Sequence, residues 1–226
     1  MRVHRREALR VMGTVAVALL ASRSIRADDG VATACSPDRL TQILADVARA
    51  RAGVTTLTGP FTQERTIGLL AAKVRSTGTL TLVRPDRLRW ELAPPDDVVY
   101  WVTPEGLAYR SPTGQGKVPA ASQKSAAALS DLKVLLGGDL GELRGRYELA
   151  AACPAGGPVS FRAVPKRDAA AASAAFQEIR FTLAPDLVSP QSVTIVEGPR
   201  DRTEILFGTL RANVPVPLAR MVPGGV

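Results

Sequence analysis

Few residues in this chain of 226 residues could carry covalent chemistry. The sequence has one histidine, His4, which lies near the amino terminus, and two cysteines, Cys35 and Cys153. Catalytic triads, Cys–His pairs and histidine-ligated metal sites all need an imidazole, and structural zinc sites take four thiolate or imidazole ligands. We therefore expect no metal site, no cofactor and no enzyme of the common hydrolytic kinds.

The acidic residues offer little for general acid–base catalysis. Asp96 and Asp97 follow two prolines, which predicts a solvated turn. Glu197, Asp201 and Glu204 surround a Gly-Pro turn, and a solvated hairpin end is the simpler interpretation. The sequence also has no glycine-rich phosphate-binding loop. These features favour a binding protein over an enzyme.

The first 27 residues predict an export signal. Four arginines precede an apolar segment, Val11–Ala21, which is too short to span a bilayer as a helix. Arg5 and Arg6 match the twin-arginine export motif in part, so that route and the ordinary Sec route both stay open. We predict a signal peptide at residues 1–27, one mature domain at residues 28–226, and a periplasmic location.

Removal of the signal peptide changes the charge of the chain. The formal net charge of +8 comes from 29 basic and 21 acidic residues. The first 27 residues contain six arginines and one glutamate, so the mature chain keeps 23 basic and 20 acidic residues, a net charge of +3. Because aromatic residues are only 4% of the chain, nucleic acid is not an expected partner. The domain is expected to be a monomer.

The two cysteines can be either disulfide-bonded or reduced. Outside the cytosol, Cys35 and Cys153 are expected to form one disulfide bond that ties the amino-terminal segment to the middle of the domain. Two unpaired buried thiols are the alternative.

The apolar pattern predicts two helices and roughly ten antiparallel strands. The first helix follows Ser36, a suitable N-cap, and has an apolar stripe at helical spacing. The stripe consists of Leu40, Ile43, Leu44 and Val47. The second helix is predicted at Ala126–Leu136, after a polar loop at Ser111–Gln123. Two-residue alternation begins at Thr79, and after the second helix the strands resume around Tyr147.

One strand of this sheet has an arginine on its apolar face. Alternation places Arg84 on the same side as Leu80 and Leu82, although an arginine that points into solvent at the strand end is the alternative. A buried guanidinium needs hydrogen-bond acceptors, which helix backbone carbonyls can supply. Since two helices of three turns cover only part of a large sheet, the remaining space is either packed core or an apolar cavity.

Three segments resemble the LolA-type outer-membrane lipoprotein carrier family. They are Phe61–Arg65, Ser76–Pro85 and Leu88–Pro95. They follow the family pattern F-x-Q, then G-x-L-x-x-x-R-P, then an apolar residue, Arg or Asn, Trp and a proline soon after. The resemblance implies a mainly β (α+β) fold: an incomplete antiparallel β-barrel or curved sheet covered by two or three helices.

The resemblance also implies a function and a site. Family members carry lipoproteins through the periplasm, from an inner-membrane donor to an outer-membrane acceptor, with the acyl chains in an apolar interior. It assigns Arg84 to holding the helical lid. The candidate lipid-binding residues are Phe61, Leu80, Leu82, Leu88, Trp90 and Leu92, each of which could equally be plain core.

The predicted function is a periplasmic carrier that binds the acyl chains of lipoproteins, or of a related lipid, and shuttles them to the outer membrane. The alternative is a lipid- or protein-binding domain that acts as an envelope sensor or as an accessory to glycolipid or polyketide-lipid export. The sequence does not identify the cargo, the donor or the acceptor.

Overall fold

The computed structural model describes most of the chain after the predicted signal peptide. The described residues are 34–68, 72–117, 131–152, 157–166 and 176–224. They belong to one compact unit. The predicted signal peptide, Cys153 and the start of the second predicted helix lie outside the described residues.

The described residues form one open, curved antiparallel sheet of twelve strands. The strands are β1 (Thr56–Ile67), β2 (Ala72–Val83), β3 (Arg87–Leu92), β4 (Val98–Thr103), β5 (Gly106–Ser111), β6 (Gly114–Lys117), β7 (Tyr147–Ala152), β8 (Ser160–Pro165), β9 (Glu178–Leu183), β10 (Pro190–Val196), β11 (Arg202–Phe207) and β12 (Arg211–Ala212). Their spatial order is β6-β5-β4-β3-β2-β1-β11-β10-β9-β8-β7, and β12 also pairs with β1. The predicted fold class is confirmed.

The long central hairpin β1–β2 joins the two halves of the sheet. β1 pairs with β2 along all twelve of its residues and with β11 from the other side. The register places Leu57 opposite Leu82 and Phe61 opposite Gly78. Because side chains alternate along a strand, these residues lie on one face, which we call the inner face.

Helix α1 (Pro37–Arg51) begins as the sequence predicts. The Ser36 side chain accepts a hydrogen bond from the Arg39 backbone N–H at 3.2 Å, and a proline occupies the first helical position. The whole predicted apolar stripe of α1 is buried. The stripe therefore packs into the core with the inner face of the sheet.

A second helix, α2, occupies residues 131–137 of the described chain and is followed by a 3-10 helix at Leu140–Gly145. Leu132, Leu135 and Leu136 of α2 are buried, as the apolar pattern predicts. Leu129, which was expected on the same face, lies outside the described residues.

The sheet has more strands than the sequence predicts. Alternation did not reveal β1, since polar and apolar residues do not alternate cleanly along its second half. The loop predicted at Ser111–Gln123 was wrong for Gly114–Lys117, which form the edge strand β6. All four residues of β6 are exposed. Its backbone pairs with β5 without any apolar side chain to bury, so no apolar pattern marks it.

The core extends across both halves of the sheet and contains two aromatic clusters. The rings of Phe61 and Trp90 lie 3.8 Å apart between centroids, and Phe207 completes this cluster. In the other half, Phe161 stacks on Phe181 at 4.7 Å. No helix within the described residues combines the length and the apolar character needed to cross a membrane.

Candidate functional site

The glycine in the G-x-L-x-x-x-R-P segment permits a close approach of three strands. A Cβ atom at Gly78 would lie 2.2 Å from the backbone oxygen of Glu91 and 2.5 Å from the Cζ atom of Phe61. Both distances are far below van der Waals contact, so only glycine fits this position. The missing side chain lets the Phe61 ring cross β2 and contact Trp90 on β3.

The six candidate lipid-binding residues lie on the inner face in one apolar cluster with α1, α2 and the 3-10 helix. Phe61, Leu80, Leu82, Leu88 and Trp90 are buried, and Leu92 is half-buried. Helix α2 contacts this face directly, since a Cβ atom at Gly137 would lie 2.1 Å from Leu82 Cδ2. The buried side chains of α1, of the described part of α2 and of the 3-10 helix therefore pack in the same cluster as the candidate residues.

Arg84, directly after β2, contacts the carboxyl end of α1. Its backbone N–H donates to the carbonyl oxygen of Thr55 at 2.9 Å. Its guanidinium donates to the carbonyl oxygen of Arg51, the last residue of α1, and lies 3.5 Å from that of Val54. The orientation toward helix carbonyls agrees with the strand alternation, and the role of Arg84 as a lid gate stays a prediction.

Arg51 was not expected in the site, yet it is the most deeply buried cation of the described chain, with 1% of its surface exposed. Its guanidinium donates to the carbonyl oxygens of Leu135 at 2.9 Å and Gly138 at 3.0 Å, at the carboxyl end of α2. Burial, and next the nearby positive charge of Arg84, lower the pKa of Arg51 to about 10. Arg84 thus holds α1, and Arg51 of α1 holds α2.

The sequence contained a signal for Arg51. It stands four residues after Val47, the last member of the apolar stripe, so it continues the buried face of the helix. An arginine in that register must be either a helix-end residue in solvent or a buried donor. Only the position of the α2 carbonyls distinguishes the two.

The other end of the described part of α2 is fixed to β7. Asp131 is 1% exposed and accepts hydrogen bonds from the Tyr147 hydroxyl at 2.5 Å and from the Arg146 guanidinium. Burial and the hydrogen bond to Asp131 raise the pKa of Tyr147 above its usual value. Helix α2 is therefore held by polar contacts at both of its described ends.

The opposite, outer face of the sheet has two features of its own. An open groove of about 680 Å³ is lined by outer-face residues that include Thr62, Thr79 and Leu206, and also by the candidate residues Phe61 and Leu92. Farther along, Met221 near the carboxyl terminus is fully buried, and the Trp101 indole N–H donates to the carbonyl oxygen of Arg220 at 3.0 Å. The carboxyl-terminal segment is thereby attached to the outer side of β4.

The residues around Cys35 pair with the end of β7. The backbone N–H of Cys35 donates to the carbonyl oxygen of Ala151 at 2.9 Å, and Ala34 pairs with Ala152. Cys35 therefore lies beside the strand that leads to Cys153, which is outside the described residues, and the disulfide stays a prediction. In the described ranges, no group of three or more His, Cys, Asp or Glu residues could hold a metal ion.

An open antiparallel sheet with helices fastened over its apolar face defines a LolA-like fold. The sequence matches the model of the family described as outer membrane lipoprotein carrier protein LolA over residues 52–219. The chain belongs to this family, which by its description is a family of carriers. A comparison with curated proteins gives no significant sequence match.

Solved structures with similar folds share little sequence with this chain. A LolA superfamily protein from Nitrosomonas europaea, NE2245, has 6% identity and a TM-score of 0.47, covering 82% of this chain and 98% of its own. The lipoprotein LppX of Mycobacterium tuberculosis has 14% identity and a TM-score of 0.46, covering 80% and 99%. The Pseudomonas aeruginosa MucA/MucB complex gives 15% identity and a TM-score of 0.42, covering 82% and 61%.

Proposed function

We propose that this chain is a periplasmic carrier that binds the acyl chains of lipoproteins, or of a related lipid, beneath α1 and α2 and delivers them to the outer membrane. The observation that carries this proposal is the fastening of both helices, through Arg84 and Arg51, over the apolar cluster of the inner face. Hydrogen bonds at helix ends can break without unfolding either helix. Fastening of this kind suits a cover that opens.

The energies of the cover and of a ligand are similar. Burying each of the four apolar side chains in the α1 stripe contributes about 1.5–3 kcal/mol, or about 6–12 kcal/mol in total. An acyl chain with fourteen methylene groups gains about 11 kcal/mol at about 0.8 kcal/mol per methylene. A single chain can therefore replace one helix stripe on the inner face at nearly balanced free energy. Near balance is what a carrier needs to release its cargo.

The polar contacts favour the closed form over the open form that binds ligand. In the closed form Arg51 donates to the carbonyl oxygens of Leu135 and Gly138 at the end of α2. Arg84 adds a second hydrogen bond to the carbonyl oxygen of Arg51, which also accepts from the Val54 backbone N–H at 3.0 Å. Opening exposes these carbonyls and both guanidinium groups, which costs free energy and opposes ligand entry. Cargo is then released when an acceptor binds it more tightly than this chain does, and no covalent step is needed.

Native mass spectrometry of the mature protein, purified from periplasm under mild conditions, tests this proposal. The expected result is an added mass that dissociates as an acyl-bearing species, together with uptake of a neutral fluorescent diacyl probe. Leu82→Asn should weaken probe binding, because it puts an amide on the inner face. Thr77→Asn on the exposed side of the same strand is the matched control.

A clean apo mass together with rejection of the probe by the wild-type chain contradicts the carrier proposal. That pair of results would favour the alternative, a domain that binds a protein partner. Far-UV circular dichroism of both variants separates a loss of binding from a loss of fold.

We further propose the location and the partners that such a carrier requires. Residues 1–27 serve as the signal peptide, residues 28–226 form the periplasmic domain, and exchange occurs with an inner-membrane donor and an outer-membrane acceptor. Amino-terminal sequencing of protein from the periplasmic fraction tests the first part. A chain that begins at Asp28 is expected, and a chain that retains Met1 contradicts the signal peptide.

A further inference from the structure

Two guanidinium groups lie next to each other under the helix ends, and their hydrogen-bond partners are carbonyl oxygens. Arg84 donates to the carbonyl oxygen of Arg51 itself, which brings the two side chains together at the end of α1. Neither side chain takes part in an ion pair among the described residues. The buried Arg51 and the half-buried Arg84 are thus held close together, and neither has a carboxylate partner among the described residues.

The carbonyl ends of two helices supply the negative charge at this place. Each helix carboxyl end carries roughly half a negative charge, so α1 and α2 together offer about one. Asp139 and Asp186 act on Arg51 only at longer range, without a hydrogen bond to it. The Nε atom of Arg51 is buried and has no hydrogen-bond partner among the described residues. Movement of the helices removes the partial charge and leaves both cations short of acceptors.

A small cavity beside Arg84 is also lined by Leu82 of the inner face. It has a volume of about 80 Å³, and its lining includes Leu82, Arg84, Lys133 and Glu142. Leu82 is one of the candidate acyl-binding residues, whereas Arg84 and Lys133 are cationic. A polar group bound here would therefore be continuous with a chain that lies on the inner face.

We propose that Arg51 and Arg84 bind the phosphate group of an acyl ligand once α2 has moved, so that the preferred cargo is a diacyl lipid with an anionic phosphate beside its ester groups. This inference rests on the proposed carrier function. Guanidinium groups bind phosphate through paired, charge-assisted hydrogen bonds. When the helices move, their negative partial charge leaves the two guanidinium groups. A phosphate group replaces that charge beside Arg51 and Arg84, and a neutral diacyl ligand does not.

A comparison of two ligands with identical acyl chains tests the inference on the mature chain. Short-chain phosphatidic acid and the matching diacylglycerol are used below their aggregation concentrations to displace a neutral naphthylamine fluorophore. Phosphatidic acid is expected to bind about tenfold tighter or more, the size of one charge-assisted pair. Arg51→Gln and Arg84→Gln should each remove most of this preference and retain diacylglycerol binding. Arg49→Gln, on the exposed side of α1, should leave the preference unchanged.

The possible outcomes separate the inference from the function on which it rests. Equal affinity of the wild-type chain for both ligands overturns the phosphate site and leaves the carrier function standing. Binding of neither ligand contradicts the carrier function itself. Displacement of the fluorophore by inorganic phosphate, without binding of diacylglycerol, identifies a free-anion site and overturns the acyl ligand. If the glutamine variants do not fold, the wild-type comparison alone decides.

Discussion

Replacing Arg84 with leucine is the sharpest test of the lid. The substitution removes the guanidinium that donates to the end of α1 and leaves an apolar side chain in its place. One hydrogen bond is lost, the one to the carbonyl oxygen of Arg51. The 3.5 Å contact with Val54 is too long to add much. A hydrogen bond from a charged donor contributes about 1.5–3 kcal/mol, and the closed form should lose about that amount relative to the open form.

The loss should appear as tighter binding of a neutral diacyl probe. A ligand that binds only the open form has an apparent Kd equal to its intrinsic Kd divided by the fraction of molecules that are open. Where the closed form dominates, removing about 1.5–3 kcal/mol from it lowers the apparent Kd about 10–150-fold. The neutral diacyl probe, which has no phosphate for Arg84 to bind, should therefore be retained more tightly and transferred to acceptor vesicles more slowly.

The assay combines probe affinity, the rate of transfer to vesicles, and hydrogen exchange of the α1 amides. Exchange in the ligand-free variant should speed up by a factor similar to the change in Kd, because both report the same opening. Two variants serve as controls. Arg84→Lys keeps a donor and should lie between wild type and Arg84→Leu. Arg75→Leu, on the exposed half of the same strand, should behave as wild type.

Wild-type values for affinity, transfer rate and exchange in Arg84→Leu would refute the argument that this arginine holds the lid. Faster exchange with unchanged affinity would refute a narrower claim, namely that the ligand binds only the form in which α1 has been released.

Four further predictions concern stability. Cys35→Ser should lower the melting temperature in oxidising buffer and not under reductant, and identical melting in both conditions would mean that no disulfide forms. Asp131→Asn should cost about 2 kcal/mol in denaturant unfolding, since a buried carboxylate loses its charged hydrogen bonds. Because the pKa of Tyr147 is raised by burial and by its hydrogen bond, unfolding favours its ionised form, and stability should fall as pH rises above about 10. Tyr147→Phe should flatten that slope, and an equal slope in both proteins would contradict it. Gly78→Ala should destabilise by about 2 kcal/mol or more, because its Cβ meets backbone, and wild-type stability would disprove this contact.

Sequence patterns predicted the features that depend on residues close together in the chain. The α1 stripe, its serine cap and its basic last turn each depend on neighbours within a few residues, so sequence spacing was sufficient. The inward orientation of Arg84 followed from two-residue alternation along one strand. Strand β6 was missed because an exposed edge strand has no apolar face to reveal it.

For the predicted lipid-binding residues, the sequence predicted which face they lie on but not what packs against that face. Alternation placed Leu80, Leu82 and Trp90 on the inner face, and all three are buried. The spacing of residues on one strand carries no information about whether helices or a ligand occupy the space above them. In this structure the buried side chains of α1 and of the described part of α2 pack in the same apolar cluster as these residues.

The sequence by itself determined where α1 lies, which face of most strands is apolar, and that an arginine continues the apolar alternation of β2. Those properties depend on side-chain periods and on capping residues close in the chain. Only the tertiary structure decided that Arg51 donates to carbonyls more than eighty residues away and that Asp131 fixes α2 to β7. Contacts of that length depend on how the whole sheet curves beneath the helices, and no local pattern encodes the curve.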